Sequence, residues 1–194
     1  MNQQSHAQPA TKRAAFKSFQ ESTREDWALI MDHLPDTQNM VADNALHLLR
    51  LLESDHGGFP VTRLEHSLQT ATRAQRDGRD DEYVVCALLH DIGDTLAPYN
   101  HPYIASTMVK PFASEANHFM VAQHGIFQGY YFWHHIGLDR EAREAFRDSP
   151  YFEYTEEFCA KYDSPAFDPD YRSEPLEHFE PLVRRFFADR RRPQ

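Results

Sequence analysis

The sequence predicts a single all-α domain, and three observations favour this fold class. Apolar residues recur at intervals of three and four, which is the spacing of helices that bury one face. No stretch shows the apolar–polar alternation of a half-buried strand, and no hairpin signal is present. The chain has 194 residues, of which 41% are apolar, enough for one hydrophobic core. No internal repeat or linker divides it.

The N-terminal part is predicted to contain a tail and one helix. Residues 1–22 are polar and are expected to form a mobile tail. Asp36 and Thr37 can cap a helix that extends to about Glu53. Its apolar residues at helical spacing are Met40, Val41, Ala45, Leu48, Leu49 and Leu52. The glycines and the proline of residues 55–60 end this helix.

Capping residues, glycines and prolines divide the rest of the chain. Asp77-Gly78 ends the helix predicted over residues 62–76. Pro98 precedes the helix over residues 102–109, and Ser114 starts the helix over residues 114–133. The further helices are predicted over residues 62–76, 80–90, 102–109, 114–133, 139–147, 154–162 and 175–188. The helical domain is therefore expected over residues 23–189, and the Arg-rich residues 190–194 are expected to be solvated.

Composition limits the partners and the compartment. The formal net charge of −10 argues against nucleic acid and anionic membranes as partners, although a bound metal still admits a small anionic substrate. No apolar run spans a bilayer and no signal-peptide core is visible, so the cytoplasm is the expected compartment. Cys86 and Cys159 form no disulfide framework, and Cys86 is expected to be a buried thiol. The sequence does not predict the oligomeric state.

The chain contains twelve histidines, and the pair His90-Asp91 ends an apolar helix. A buried carboxylate beside an imidazole is costly without a partner, and a divalent metal is a partner for both. The alternative is a helix-terminal histidine next to a solvated aspartate.

Four other residues are candidate ligands, and each has a structural alternative. His66 lies on an amphipathic helix, where it could be a core histidine. His101 could cap a helix, and Asp163 could be a turn residue. His124 lies in the apolar segment Val121–Gly125. The occurrence of all these residues together favours a metal site.

In this order of ligands the sequence resembles the HD-domain superfamily. His66, His90-Asp91 and Asp163 match its His…His-Asp…Asp series, and His101 and His124 match the extra histidines of its binuclear members. Over residues 55–180 the chain more closely resembles the mixed-valent diiron oxygenases of that superfamily that act on phosphonates. Residues 64–71 and 124–131 carry the most specific similarity.

The resemblance implies a helical bundle around two iron ions, Fe(II)/Fe(III), with O2 as co-substrate. It implies that His66, His90, Asp91 and Asp163 hold one iron. It further implies that His101 and His124 hold the other, with Asp91 as the bridging catalytic carboxylate. Imidazole and carboxylate ligands suit iron.

Two departures from the aminophosphonate members bear on the substrate. Asp94 replaces a histidine and Gln128 replaces a lysine. Asp94 could face a cationic ammonium group, or it could cap the turn after the helix. Tyr131 and His135 would share the helix face of His124 and Gln128. The nearby aromatic residues, which could cage a quaternary ammonium or simply form core, are Tyr99, Tyr103, Phe127, Tyr130, Tyr131, Phe132 and Trp133.

The resemblance implies C–P bond cleavage, and together with Asp94 and the aromatic residues it predicts a 1-hydroxy-2-(trimethylammonio)ethylphosphonate-like substrate that gives glycine betaine and phosphate. The main alternative is an HD-type phosphohydrolase of a nucleotide or small phosphate ester, because the same ligands serve hydrolysis. Lys110 is the single lysine or arginine between His90 and Gly137, which disfavours polyphosphate substrates. A second alternative is a non-catalytic metal-bound binding protein.

Overall fold

The computed structural model describes residues 12–54 and 57–188, and at residues 36–39 it describes the backbone alone. The described ranges contain helices and turns but no strand, so the all-α class is confirmed. The α-helices are α1 (Arg24–Leu51), α2 (Arg63–Arg76), α3 (Asp81–Leu89), α4 (His101–Val109), α5 (Glu115–Phe132), α6 (Phe152–Phe158) and α7 (Leu176–Ala188). Short 3-10 turns lie at Phe19–Glu21, Leu52–Ser54, Pro98–Asn100, Trp133–Ile136 and Ala142–Phe146, and a π-helical turn lies at Cys159–Asp163.

The chain divides into two compact units, residues 1–41 and 42–194. In the first unit, the rings of Phe16, Phe19 and Trp27 have centroids 5.8 to 6.4 Å apart. Residues 1–11 of the predicted tail and residues 190–194 lie outside the described residues. The predicted domain limits, 23 and 189, remain a prediction.

Helix α1 begins at Arg24, so the expectation that Asp36 and Thr37 cap it is wrong. Thr23 and Asp26 form a reciprocal cap instead. The Thr23 hydroxyl oxygen accepts from the Asp26 N–H at 3.2 Å, and the Asp26 carboxylate accepts from the Thr23 N–H at 3.0 Å. The helix then continues through Pro35, which removes one backbone donor without ending the helix.

The remaining helices follow the predicted pattern with two differences. Thr62, Asp80 and Ser114 cap α2, α3 and α5 with their side-chain oxygens. The helix predicted over residues 139–147 is a 3-10 turn, Ala142–Phe146. The helix predicted over residues 154–162 is the short α6 followed by the π-helical turn.

The core of the second unit is built by packing of neighbouring helices. α2 packs against α3, α4 against α5, α5 against α6, and α7 against α3. Fully buried apolar side chains on these elements include Ala71, Leu88, Met120, Phe158 and Phe179. The same interior also buries His66, His90, His124 and Asp163, which apolar packing alone does not explain.

Two further expectations from the sequence can be compared with the structure. Cys86 and Cys159 are free and buried, and burial raises the pKa of both thiols well above the ordinary value. Both are therefore inert thiols of the interior. In residues 12–54 and 57–188, no helix has both the length and the apolar character needed to cross a membrane.

Candidate metal centre

The six side chains predicted as metal ligands lie close together in the second unit. α2 carries His66, α4 begins with His101, and α5 carries His124. His90 and Asp91 follow the last residue of α3, and Asp163 ends the π-helical turn. All are buried except His101, whose side chain is 18% exposed. One face of the cluster is therefore open at His101.

A tight turn after α3 brings His90 and Asp91 beside α4. The Asp94 N–H donates to the Asp91 carbonyl oxygen at 2.9 Å. A Cβ on Gly93 would lie 2.8 Å from the carbonyl oxygen of His101 and 2.8 Å from the Cβ of Ile104. A glycine is therefore needed at residue 93 because the turn approaches the start of α4 so closely.

A π-helical turn presents Asp163. The Ser164 N–H donates to the Cys159 carbonyl oxygen at 2.8 Å, a spacing of five residues. The turn packs against α2 and α5, and the extra residue changes the direction in which Asp163 leaves α6. The Asp163 side chain is consequently directed toward the histidines rather than along the regular face of α6.

His66 and His90, the first histidine pair, face each other through Nε2. The His66 Nδ1 lies 3.0 Å from the Ala166 carbonyl oxygen, and the His90 Nδ1 lies 2.7 Å from the Ala87 carbonyl oxygen. A carbonyl oxygen only accepts, so Nδ1 carries the proton and Nε2 of a neutral ring carries a lone pair. The two Nε2 atoms are 3.1 Å apart.

His101 and His124, the second histidine pair, repeat this arrangement. Their Nδ1 atoms each lie 2.8 Å from a carbonyl oxygen, of Pro98 and Val121 respectively. Their Nε2 atoms are 3.3 Å apart. In neither pair can two neutral rings of this tautomer hydrogen-bond to each other through Nε2. Each pair therefore needs a cation between its rings, either a proton or a metal ion, and anchoring of Nδ1 on a carbonyl oxygen is typical of metal-ligating histidine.

Asp91 lies between the two pairs and presents one oxygen to each. Its Oδ1 lies 3.1 Å from Nε2 of His101 and 3.0 Å from Nε2 of His124. Its Oδ2 lies 3.4 Å from Nε2 of His66 and 3.5 Å from Nε2 of His90. A carboxylate in this position can bridge two cations.

Asp163 faces the first pair and completes its donor set. Its Oδ1 lies 3.2 Å from Nε2 of His66 and 3.7 Å from Nε2 of His90. Its Oδ2 is buried and has no hydrogen-bond partner among the described residues. A buried carboxylate oxygen without a donor is costly, and a bound cation would satisfy it.

The donor atoms are close enough to hold metal. One ligand atom each of His66, His90 and Asp163 lies within 4.8 Å of the other two, and the same holds for His90, Asp91 and His124. Imidazole nitrogen with carboxylate oxygen suits first-row transition metals such as iron, manganese and zinc. The residues therefore fit a metal centre with two positions that share Asp91.

The electrostatics of the cluster also favour positive charge. Burial lowers the pKa of His90, but Asp91 and Asp163 outweigh burial and raise the pKa to about 9. Burial raises the pKa of Asp91, but His90 and Arg63 outweigh it and hold the pKa well below the ordinary value. Burial lowers the pKa of His124. The carboxylates thus stay charged and attract a cation, and metal binding would displace protons from the rings.

A cavity of about 990 Å³ opens onto this centre. His101, His124 and Asp163 line it, with Ser164 beside them. The aromatic residues that line it are Phe59, Tyr99, Tyr103, Tyr131, Phe132, Trp133 and Phe167. Two aromatics named from the sequence do not line it. Phe127 is fully buried core, and the ring of Tyr130 packs against Arg143.

The structure separates the residues predicted to bind substrate. Gln128 and Tyr131 line the cavity, and the Gln128 amide donates to Asp163 at 3.0 Å. His135 is exposed and does not line the cavity. The expectation that His135 shares the face of His124 is wrong, because α5 ends at Phe132 and continues as a 3-10 turn.

Arg63 is a residue of the site that the sequence reasoning missed. It lines the cavity, is 8% exposed, and stacks its guanidinium over Phe59. Its Nη2 donates to Asp91 at 2.8 Å, and its Nε donates to Asp94. Asp94 also lines the cavity, but its charge is already paired with Arg63. It therefore presents no free carboxylate to an ammonium group.

Gly129 lets Trp133 fold back against α5 at the cavity wall. A Cβ at residue 129 would lie 2.4 Å from atoms of the Trp133 ring. We expect Gly129→Ala to displace this ring and to lower the free energy of unfolding by about 1–3 kcal/mol through overpacking. Urea unfolding measures the loss, and Trp133 fluorescence reports the displacement.

Gly58→Ala is unsuitable as a control because Gly58 has a φ of 82°. Ala145→Gly, at an exposed residue of the 3-10 turn Ala142–Phe146, is suitable, and an unchanged spectrum in Gly129→Ala would contradict the prediction.

A family model matches the part of the chain that contains five of the six candidate ligands. The family model of the HD domain matches residues 63–157, which include His66, His90, Asp91, His101 and His124. The chain therefore carries an HD domain, a domain that binds metals. Asp163 lies just beyond the matched residues.

A comparison with curated proteins gives one relative. Over 64 residues the chain is 39% identical to "[1-hydroxy-2-(trimethylamino)ethyl]phosphonate dioxygenase (glycine-betaine-forming)" of Leisingera caerulea. The similar segment covers 30% of this chain and 33% of the relative. The chain thus matches about a third of the relative's length, and the reaction in that name is the relative's own.

Proposed function

We propose that this chain is a non-haem diiron oxygenase that cleaves the C–P bond of a 1-hydroxy-2-(trimethylammonio)ethylphosphonate-like substrate. The products are glycine betaine and phosphate. Relative to the substrate, the two products together contain two additional oxygen atoms, one in the carboxylate and one in the phosphate. One O2 supplies both, so the reaction balances without another reductant.

The observation that carries this proposal is the position of Asp91 between two histidine pairs. Each oxygen faces one pair, at 3.0 to 3.1 Å on one side and 3.4 to 3.5 Å on the other. A mononuclear site would leave the Nε2 atoms of His101 and His124 facing each other without a metal. The name of the Leisingera relative supports the oxygenase reaction and the substrate class.

Bound iron would supply coordination positions for the substrate oxygens and the electron transfers that O2 requires. The protein side chains around it provide the rest of the site. Arg63 is the single arginine or lysine among the described residues lining the cavity, and its charge is paired with Asp91 and Asp94. The phosphonate charge is therefore neutralised chiefly at the metal centre.

The aromatic lining of the cavity suits the ammonium end of the substrate. Tyr131 and Trp133 lie on the cavity wall, and Tyr99 and Tyr103 are exposed lining residues. A trimethylammonium group cannot donate a hydrogen bond, so aromatic faces are its natural contacts. Gln128 is neutral and adds no charge here, and its amide donates to Asp163.

Oxygen uptake by anaerobically purified, iron-loaded protein tests the proposal. With the hydroxylated trimethylammonio-phosphonate, we expect consumption of one O2 for each phosphate released. His101→Ala removes one ligand of the second pair and is expected to reduce this coupled turnover by more than about 100-fold. His47→Ala, at an exposed residue of α1, is the matched control and should leave the rate unchanged.

The same assay distinguishes the alternatives. Phosphate-ester hydrolysis with manganese and without O2 uptake would place the chain among HD phosphohydrolases. Metal binding without turnover of either substrate would indicate a binding protein. Both results would refute the oxygenase proposal, whereas the metal centre itself would remain.

A further inference from the structure

Asp94 connects Arg63 to a residue of the second histidine pair. Its Oδ2 accepts from the Nε of Arg63, and its Oδ1 lies 3.2 Å from the Nδ1 of His101. Arg63 in turn donates from Nη2 to Asp91 at 2.8 Å. The four side chains form a continuous set of contacts from the bridging carboxylate to a ring that faces the second metal position.

His101 differs from the other three histidines in its surroundings. The Nδ1 of His101 lies near two acceptors, the Pro98 carbonyl oxygen at 2.8 Å and the Asp94 carboxylate. Within the described residues, each of the other three rings has its Nδ1 on a backbone carbonyl alone. His101 is also the one with a partly exposed side chain, so less packing restrains its ring.

We propose that Asp94 is a positioning residue for the second metal position. Its carboxylate orients the His101 ring and increases the basicity of the Nε2 lone pair. Arg63 holds the carboxylate in place through a charge-assisted hydrogen bond. This inference rests on the proposed binuclear centre, and it gives Asp94 a role through His101 instead of a contact with the ammonium group of the substrate.

Asp94→Asn isolates this role because it keeps the shape and removes the charge. We expect the affinity for the second metal ion to fall by about 10- to 100-fold, the usual effect of losing an outer partner of a ligand histidine. The first ion should bind as before. Its histidines, His66 and His90, are oriented by the carbonyl oxygens of Ala166 and Ala87, which the substitution leaves in place.

Metal binding, rather than turnover, is the measurement. Anaerobic equilibrium dialysis against Fe(II) gives the stoichiometry and the two affinities. Electron paramagnetic resonance of Mn(II)-loaded protein separates a spin-coupled pair of ions from a single ion. Glu156→Gln is the matched control, because Glu156 pairs with Arg143. Arg143 is 7% exposed and so is about as buried as Arg63. This variant should bind two ions like the parent chain.

The outcomes separate this inference from the proposed function. Unchanged second-site affinity in Asp94→Asn would overturn the inference. Asp94→Glu, which retains the charge, should bind the second ion more tightly than Asp94→Asn. An equal loss of affinity in both variants would assign the effect to packing and would also overturn the inference. A parent chain that saturates at one ion contradicts both the binuclear centre and the inference. Binding of two ions without oxygen uptake would refute the oxygenase proposal but not this inference.

Discussion

Asp91→Asn is expected to reduce the bound metal from two ions to at most one and to lower turnover by more than about 100-fold. The reason is geometric. The Asp91 oxygens face different histidine pairs, and an amide offers one oxygen instead of two. Arg63 would also lose the carboxylate that accepts from its Nη2. Without the bridging negative charge, repulsion between two cations would oppose binding of the second.

Metal analysis of protein loaded anaerobically with Fe(II) measures the first effect, and oxygen uptake measures the second. Asp81→Asn is a suitable control because Asp81 is an exposed aspartate that pairs with Arg185 at 2.9 Å. That variant should keep two ions and full turnover. Two tightly bound ions in Asp91→Asn would contradict a bridging role for Asp91.

Phe158→Ala is expected to have the largest effect on stability, about 3–5 kcal/mol. Phe158 is fully buried, and its ring centroid lies 5.5 Å from that of His90 and 6.1 Å from that of Tyr83. Truncation would leave a cavity directly behind a ligand of the first metal position. Because a typical domain is stable by about 5–15 kcal/mol, much of the total would be lost.

Urea unfolding of the metal-free protein gives this loss as a change in the free energy of unfolding. Phe158→Leu should restore part of the stability because it refills most of the cavity. Leu138→Ala, at a side chain that is 53% exposed, is the surface control and should change stability by less than about 0.5 kcal/mol. A loss of similar size in Leu138→Ala and Phe158→Ala would show that Phe158 is not a core residue.

The local signals in the sequence were sufficient to predict most helices. The side-chain oxygens of Thr62, Asp80 and Ser114 each cap a helix at the predicted residue. Capping and helical periodicity depend on neighbours within one or two turns, so they are readable without tertiary structure.

Changes of helix type were not predictable. The 3-10 turn after Phe132 displaced His135 from the expected face, and the π-helical turn Cys159–Asp163 followed a short α6. These forms share most of their sequence preferences with the α-helix, and packing selects among them. The early start of α1 was missed for another reason, since the cap formed by Thr23 and Asp26 precedes a proline.

The sequence predicted which six side chains lie together, but not the residues around them, and the ligand role of the six stays a prediction. The order of His66, His90-Asp91, His101, His124 and Asp163 carried the resemblance, and the structure brings these six together. Arg63 had a local signal, because residues i and i+3 share a helix face and Arg63 precedes His66 by three. Phe167, which stacks on His66 at 4.2 Å, comes from a distant loop and had none.

The carbonyl oxygens that orient the four rings lie at different distances along the chain from their histidines, and this difference predicts an order of assembly. Ala87, Pro98 and Val121 each lie three residues before the histidine they orient, so those three rings are positioned by their own turns. His66 alone depends on a carbonyl oxygen 100 residues away, at Ala166. Closing so long a loop is entropically costly. We therefore expect the second candidate metal position to be organised early and the first to be completed when residues 163–166 dock onto α2.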